Sequence, residues 1–278
     1  MFEFLRNHLP FGRSADDVKV PESMWGRVEA GLPFLDFLEA AERARLRELA
    51  RAFLAEKQFH GAHELVLTDE MMLAIALQAC LPILNRGLAS YAGWVGVIVY
   101  PGDFIIPRKQ MDEDGVVHEF DDTVLGEAWD QGPVVISWNE GAPLPEGANV
   151  VIHEFAHKLD MANGEADGFP PLPTGMSVKE WARVFTASYE HFCDLVDADE
   201  PTPLDPYAAE HPAEFFAVAS EAFFEAPLAL AHAYPGVYEQ LRQFYRTDPA
   251  KGERRCLAEP GSPNGVEAER PFPDGRNP

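Results

Sequence analysis

The stretch that decides the fold is NVVIHEFAHKLDMANG, residues 149–164, which lies just past the middle of the chain. It places His153 and His157 four residues apart, with Glu154 directly after the first histidine. On a helix, side chains at this spacing share one face, so both imidazoles can bind one zinc ion. Glu154 lies about 100° further round the helix, within reach of a water on that ion. The pattern therefore predicts a helix that carries a zinc site and a general base.

An ordinary buried helix is the alternative interpretation of this motif. The pattern H-E-x-x-H also arises by chance, and the two histidines would then be hydrogen-bonded groups of the core. Here the motif follows the apolar run NVVI and ends at an Asn-Gly pair, so we expect its helix to be buried. Buried polar side chains must find partners, and a metal ion satisfies them together. We therefore favour the zinc site.

Two histidines do not complete a catalytic zinc site, which takes three protein ligands and a water. The extended pattern H-E-x-x-H-x-x-G-x-x-H requires glycine at 160 and histidine at 163, whereas the chain has Asp160 and Asn163. The third ligand must therefore come from further along the chain. The candidates on expected helices are Glu180, Glu190, His191, Glu214 and Glu221.

The residues alone favour Glu214 only slightly among these candidates. Glu180 is better explained as part of a capping box, three residues after a serine. Glu190 and His191 fall on a helix that has room for a solvent-facing side. Glu214 and Glu221 are seven residues apart, so they share one face of an otherwise apolar helix, and Glu214 lies nearer its start. Both stay open as ligands or as solvated acidic side chains.

Composition bounds the class of protein. The 278 residues are 46% hydrophobic and 24% charged, which is typical of a globular protein. The net charge of −24 repels phosphate backbones and anionic lipid, so we expect neither a direct nucleic-acid partner nor a membrane. The N-terminus lacks a signal-peptide core and no apolar stretch approaches membrane-spanning length, which predicts a cytoplasmic protein. Three scattered cysteines predict neither disulfides nor a cysteine metal site: Cys80, Cys193 and Cys256.

The order of elements predicts an α+β fold. A helical pattern covers residues 37–59, and Thr68 is expected to be the N-cap of a second, buried helix. Strand-like segments occupy roughly residues 94–139, and helices return from the motif onward. A small mixed sheet should therefore accompany the motif helix and be flanked by further helices, because the pattern does not alternate strand and helix.

Composition also divides the chain into three parts. Residues 1–20 form an N-terminal arm and residues 21–247 form one domain. Residues 248–278 are rich in proline, glycine and charge, which is typical of a disordered tail.

Three segments together resemble a known family. NVVIHEFAHKLDMANG, DPYAAEHPAEFFAVASEAFFEAP and FYRTDP are similar to the Mlc titration factor A family of bacterial zinc peptidases. The resemblance implies a zincin-like fold, similar to the catalytic domain of anthrax lethal factor, with zinc held by His153, His157 and Glu214. It implies Glu154 as the catalytic base. It also implies that Tyr207, seven residues before Glu214, stabilises the oxyanion.

The resemblance implies a function with two aspects. We expect a metallopeptidase with one zinc per chain and aminopeptidase-like activity on a peptide or protein substrate. Family members also bind the glucose repressor Mlc, so a Mlc-like transcription repressor is an expected partner. The alternative is a non-catalytic protein that sequesters a repressor and uses zinc for structure or regulation.

Three details stay open beside this function. The strand near GPVVISWN, residues 132–139, is expected to pair with an extended substrate. Glu221 is a candidate for orienting a metal-ligating side chain without binding the metal itself. Asp160 can orient a ligand histidine, pair with Lys158 or cap the end of the motif helix.

Overall fold

The computed structural model describes residues 14–102, 132–138 and 147–252, with the backbone of three further strands. The first half contains α1 (Glu22–Ala30), α2 (Ala40–Glu56), β1 (Gln58–Gly61) and α3 (Asp69–Cys80). Five strands follow: β2 (Gly96–Tyr100), β3 (Phe104–Met111), β4 (Val117–Val124), β5 (Gly126–Ala128) and β6 (Val134–Ser137). The second half contains α4 (Val150–Asp160), α5 (Val178–Asp197), α6 (Pro212–Glu225), α7 (Pro227–Ala233) and α8 (Pro235–Tyr245).

The main sheet has four strands in the order β1-β2-β6-β5. β1, β2 and β6 run parallel, and β5 is antiparallel to β6. β3 and β4 form a separate antiparallel pair. The predicted arrangement of helices around a small mixed sheet is therefore confirmed. The strand β1 was not predicted, because its four residues are mostly exposed and show no alternation of apolar and polar side chains.

The predicted pairing of the segment 132–139 with substrate is wrong for the strand that it contains. β6 is buried along its whole length. Its residues pair with β2 on one side, as Val97 with Val134, and with β5 on the other, as Ala128 with Val134. Because both edges of β6 are already hydrogen-bonded, an extended peptide has no edge of that strand to join.

The helix α4 lies in the core, against the sheet on one side and against α3 and α6 on the others. Its first turn is capped by Asn149, whose side-chain oxygen accepts a hydrogen bond from the Ile152 N–H at 2.9 Å. Phe155 is fully buried among three aromatic rings, with centroid distances of 5.2–5.7 Å to Phe53, Tyr91 and Trp94. Each such ring pair adds roughly 0.5–1.5 kcal/mol beyond burial, which fixes the rotation of α4.

The predicted caps of α3 and α5 differ in outcome. Thr68 accepts from the Met71 N–H at 3.1 Å, as expected for an N-cap. Ser177 likewise accepts from the Glu180 N–H at 3.2 Å. The Glu180 carboxylate binds Arg183 instead of closing the capping box, so that half of the prediction is wrong. An arginine three residues later on the same face offers two charge-assisted hydrogen bonds.

The domain boundaries at residues 20 and 248 stay predictions, because residues 1–13 and 253–278 lie outside the described ranges. Close to those boundaries, Val18 and Ala250 are both buried in the main hydrophobic core. No helix within the described ranges combines the length and apolar character needed to cross a membrane.

Candidate metal centre

Two helices bring the predicted ligands together. α4 presents His153 and His157, and the first turn of α6 presents Glu214. The two Nε2 atoms are 3.0 Å apart, and they lie 3.0 and 3.3 Å from the Glu214 Oε2 atom. Within the described ranges, no other group of three His, Cys, Asp or Glu side chains is arranged to hold a metal ion.

The spacing of these three atoms fits a metal ion. Zinc bonds of about 2.0–2.1 Å at tetrahedral angles place neighbouring ligand atoms about 3.3 Å apart. The observed separations of 3.0–3.3 Å are close to that value. Two imidazoles and one carboxylate are also the donor set of catalytic zinc sites that leave a fourth position open. The residues therefore can hold a metal ion.

Glu221 lies behind His153. Its Oε1 atom is 2.8 Å from the His153 Nδ1, on the side of the ring that faces away from Glu214. Its second oxygen accepts a hydrogen bond from the Asn149 N–H. A carboxylate in this position fixes the tautomer with a proton on Nδ1 and leaves Nε2 free for a metal. Glu221 thus contacts the ligand residue His153 but lies away from the three atoms that converge on the metal position.

Asn149 ties this arrangement to the rest of the core. Its side-chain amide donates to the Gln78 Oε1 at 2.8 Å and to the Glu225 Oε1 at 2.7 Å. These bonds hold the start of α4 against α3 and α6, the helix that carries both Glu214 and Glu221. Neither Asn149 nor Gln78 was singled out from the sequence. The available signal was an amide at a helix start and a lone amide in an apolar helix.

A tight loop positions the start of α6. Gly168 has a φ of +79°, and a Cβ atom there would lie 2.7 Å from the Pro212 carbonyl oxygen. Its N–H donates to the Asp160 Oδ2 at 2.7 Å, and its carbonyl accepts from the Trp181 Nε1 at 3.0 Å. Glycine is therefore required, because a side chain would push away the residue that opens α6, two before Glu214.

The charges at the site point to a cation-binding arrangement. Burial disfavours a charge on His153, but its contacts with Glu214 and Glu221 outweigh burial and hold its pKa well above the ordinary value. Burial alone would raise the pKa of Glu214, yet the hydrogen bonds from His153 and His157 hold it far below the ordinary value. The pocket thus stabilises an anionic Glu214 opposite positive charge.

The two remaining predicted residues lie beside the histidines. Glu154 follows His153 on α4 and is only 3% exposed. Tyr207 lies in a short 3-10 turn before α6, with its ring centroid 6.1 Å from that of His153. It is 41% exposed, so part of the residue can be reached from solvent.

The other ligand candidates have different partners. Glu180 is exposed and bound to Arg183. Glu190 is exposed, and the Nδ1 of His191 lies 3.2 Å from the Tyr234 hydroxyl. The structure therefore leaves these three candidates outside the converging group.

A H-E-x-x-H helix joined by a glutamate from a later helix is the arrangement of a class of metallopeptidases. The family model for glucose-regulated metallo-peptidase M90 matches residues 10–246, and the chain belongs to that family.

Relatives over most of the chain agree with this assignment. Mlc titration factor A of Pectobacterium atrosepticum is 37% identical over 245 residues, covering 86% of this chain and 91% of the relative. Mlc titration factor A of Serratia proteamaculans is 37% identical over 233 residues, 82% of this chain and 88% of the relative. An uncharacterised Synechocystis protein is 38% identical over 224 residues, 78% and 81% respectively. The resemblance stated from the sequence is thereby confirmed.

Proposed function

We propose that this member of the metallopeptidase family is a zinc-dependent peptidase with aminopeptidase-like activity. The observation that carries the proposal is the convergence of His153, His157 and Glu214 beside the buried carboxylate of Glu154. A set of two imidazoles and one carboxylate suits zinc, which supports zinc as the ion. Three protein ligands leave a position for water, as a catalytic site needs and a closed structural site lacks.

The roles of the residues follow from their positions. His153, His157 and Glu214 would hold the zinc ion, which would supply Lewis acidity when bound. Glu154 accepts the proton of the attacking water and later gives it to the leaving amine. The Tyr207 hydroxyl donates a hydrogen bond to the oxyanion that develops on the carbonyl oxygen. Glu221 keeps the His153 ring oriented throughout.

The strand β5 is the better candidate for holding an extended substrate. It forms one edge of the sheet, it contacts α4, and its outer side has no strand partner among the described residues. A peptide backbone added there would run beside the motif helix. A complex with a substrate analogue whose backbone lies away from β5 would contradict this placement.

Wild-type protein tests the proposal directly. We expect about one zinc per chain by metal analysis and cleavage of members of a peptide library. A chelator should abolish cleavage and added zinc should restore it, because the metal site is required. Peptides with a free amino terminus should be cut faster than acetylated copies. Zinc-loaded protein that cleaves no peptide, or cleavage that persists without metal, would contradict the proposal.

Replacing Tyr207 tests its assigned role. Tyr207→Phe should lower kcat by about 10²-fold, the loss typical of one oxyanion donor, with zinc content unchanged. KM should change little, because the hydrogen bond forms mainly in the transition state. Tyr100→Phe is the matched control, since Tyr100 packs with Val135 in a small cluster separate from the core cluster that contains the apolar residues of α4. Equal kcat values for wild type and Tyr207→Phe would remove Tyr207 from the mechanism.

A second function, binding of a transcription repressor, is favoured by the relatives that carry the name Mlc titration factor A. Both functions would be exercised in the cytoplasm, where bacterial transcription repressors act. Mixing the purified chain with a Mlc-like repressor and measuring complex formation tests this part. If no complex forms, the proposal of repressor binding is contradicted and the peptidase proposal is unaffected.

A further inference from the structure

The two nitrogens of the His157 ring have different surroundings. The Nε2 of His157 faces His153 and Glu214, so in a metal-loaded site this atom offers its lone pair and the proton must lie on Nδ1. The Nδ1 atom is buried and makes no hydrogen bond among the described residues. His153 differs, because its Nδ1 lies against Glu221. A buried N–H without an acceptor is destabilising, so a partner for this atom is expected.

The complementary group lies on the same helix. Asp160 follows His157 by three residues, so the two side chains share one face of α4. Asp160 is fully buried, and its Oδ1 is a buried acceptor without a hydrogen-bond partner among the described residues. Its Oδ2 already accepts from the Gly168 N–H at 2.7 Å. One buried donor and one buried acceptor, each without a partner among the described residues, therefore lie three residues apart on one face of α4. The structure itself holds no hydrogen bond between them.

The other roles considered for Asp160 do not account for its contacts. Lys158 donates to the Gly132 carbonyl at 2.9 Å and lies 5.0 Å from the Trp94 ring, so its ammonium is held elsewhere. The N–H that follows the end of α4 belongs to Met161 and bonds to backbone carbonyls, not to Asp160. The bond from Gly168 instead joins Asp160 to the loop that packs on the start of α6.

We propose that Asp160 is a positioning residue of the metal centre: its Oδ1 accepts a hydrogen bond from the His157 Nδ1–H, while its Oδ2 braces the loop behind Glu214. Each ligand histidine then has its own carboxylate, Glu221 for His153 and Asp160 for His157. Asp160 also couples two ligands, because the Gly168 backbone that it holds rests against Pro212, two residues before Glu214. The inference rests on the proposed metal site.

The electrostatics of Asp160 agree with this geometry. Burial raises the pKa of Asp160 to about 6, while the Gly168 N–H and the nearby His157 act to lower it. His157 is therefore close enough to Asp160 to act on its charge, as the proposed contact requires.

Asp160→Asn reverses one hydrogen-bond role without changing the shape. If the amide oxygen keeps the bond from the Gly168 N–H, the amide NH₂ faces the His157 Nδ1. A donor there favours the tautomer with the proton on Nε2, which cannot bind a metal. We expect zinc affinity to fall about 10–100-fold, the usual effect of losing a carboxylate behind a ligand histidine. Chelator competition measures this affinity.

Asp194→Asn is the matched control. It makes the same change in charge at an exposed position on α5, outside the loop that Asp160 holds. Zinc affinity of this variant should stay within twofold of wild type. If Asp160→Asn also binds zinc within twofold of wild type, or if the control loses as much affinity, the proposal is overturned.

A second measurement avoids dependence on a variant that folds poorly. Nitrogen-edited NMR of zinc-loaded wild type should show two slowly exchanging imidazole N–H protons, one on each ligand histidine. At saturating zinc, Asp160→Asn should lose protection of the His157 proton alone, which a merely structural role would not produce. A rapidly exchanging His157 proton in wild type would overturn the proposal. Failure of wild type to bind zinc would instead overturn the proposed function.

Discussion

Glu154→Gln should lower kcat for peptide cleavage by about 10²–10⁴-fold while the protein keeps its zinc. The amide has nearly the same shape as the carboxylate but cannot accept the proton of the attacking water, and general-base catalysis contributes a factor of this size. Glu154 lies next to His153 but contributes none of the three converging ligand atoms, so metal content should not change. Steady-state cleavage with parallel metal analysis measures both quantities.

The control for this substitution is Glu165→Gln, at an exposed position in the loop after α4. It removes the same charge and should leave kcat within twofold of wild type. Full activity in Glu154→Gln would exclude Glu154 as the base. Glu154→Gln also separates the two proposed functions. If a repressor still binds this variant, repressor binding does not depend on catalysis.

Glu214→Gln should remove most bound zinc and reduce cleavage to background. It takes away the anionic ligand and leaves the two imidazole Nε2 atoms facing each other across 3.0 Å. The matched comparison is Glu221→Gln, the same chemical change two turns along α6. That variant should lose only about 10–100-fold in zinc affinity and recover cleavage at saturating zinc, because the ligand set is intact.

The order of these two effects decides the ligand assignment. Equilibrium dialysis with zinc gives both affinities, and cleavage at saturating zinc gives the residual activities. A larger loss in Glu221→Gln than in Glu214→Gln would mean that Glu221 is the ligand and that Glu214 has the supporting role.

The motif helix could be predicted from the sequence because its signals are local. A cap residue, an apolar face and the spacing of His153 and His157 all lie within one short stretch. The choice between Glu214 and Glu221 is different, since residues seven apart on a helix share a face. It depends on how α4 meets α6, where Asn149 and Gly168 set the contact, and such packing between distant segments leaves no periodic pattern.

The order of the strands in the sheet likewise could not be predicted from local sequence patterns. β6 pairs with β2, whose partner residues lie 37 positions earlier in the chain, and β5 pairs with β6 on its other side. Alternation and β-branched residues identify a strand but not its neighbours, so β6 looked available to a substrate. The resemblance to a known family gave the ligand set, whereas the role of Asp160 depends on two buried atoms visible only in three dimensions.

A metal ion at this site would join residues that are far apart along the chain. His157 and Glu214 are 57 residues apart along the chain, so an ion bound to both closes a long loop. Cys80 and Cys193, the cysteines in the described ranges, are free thiols and close no such loop. On a chain-entropy model, a permanent cross-link over this length restricts the unfolded chain by roughly 4 kcal/mol. A bound ion would therefore act as a reversible cross-link, and the resistance of this fold to unfolding would then depend on the supply of metal in its surroundings.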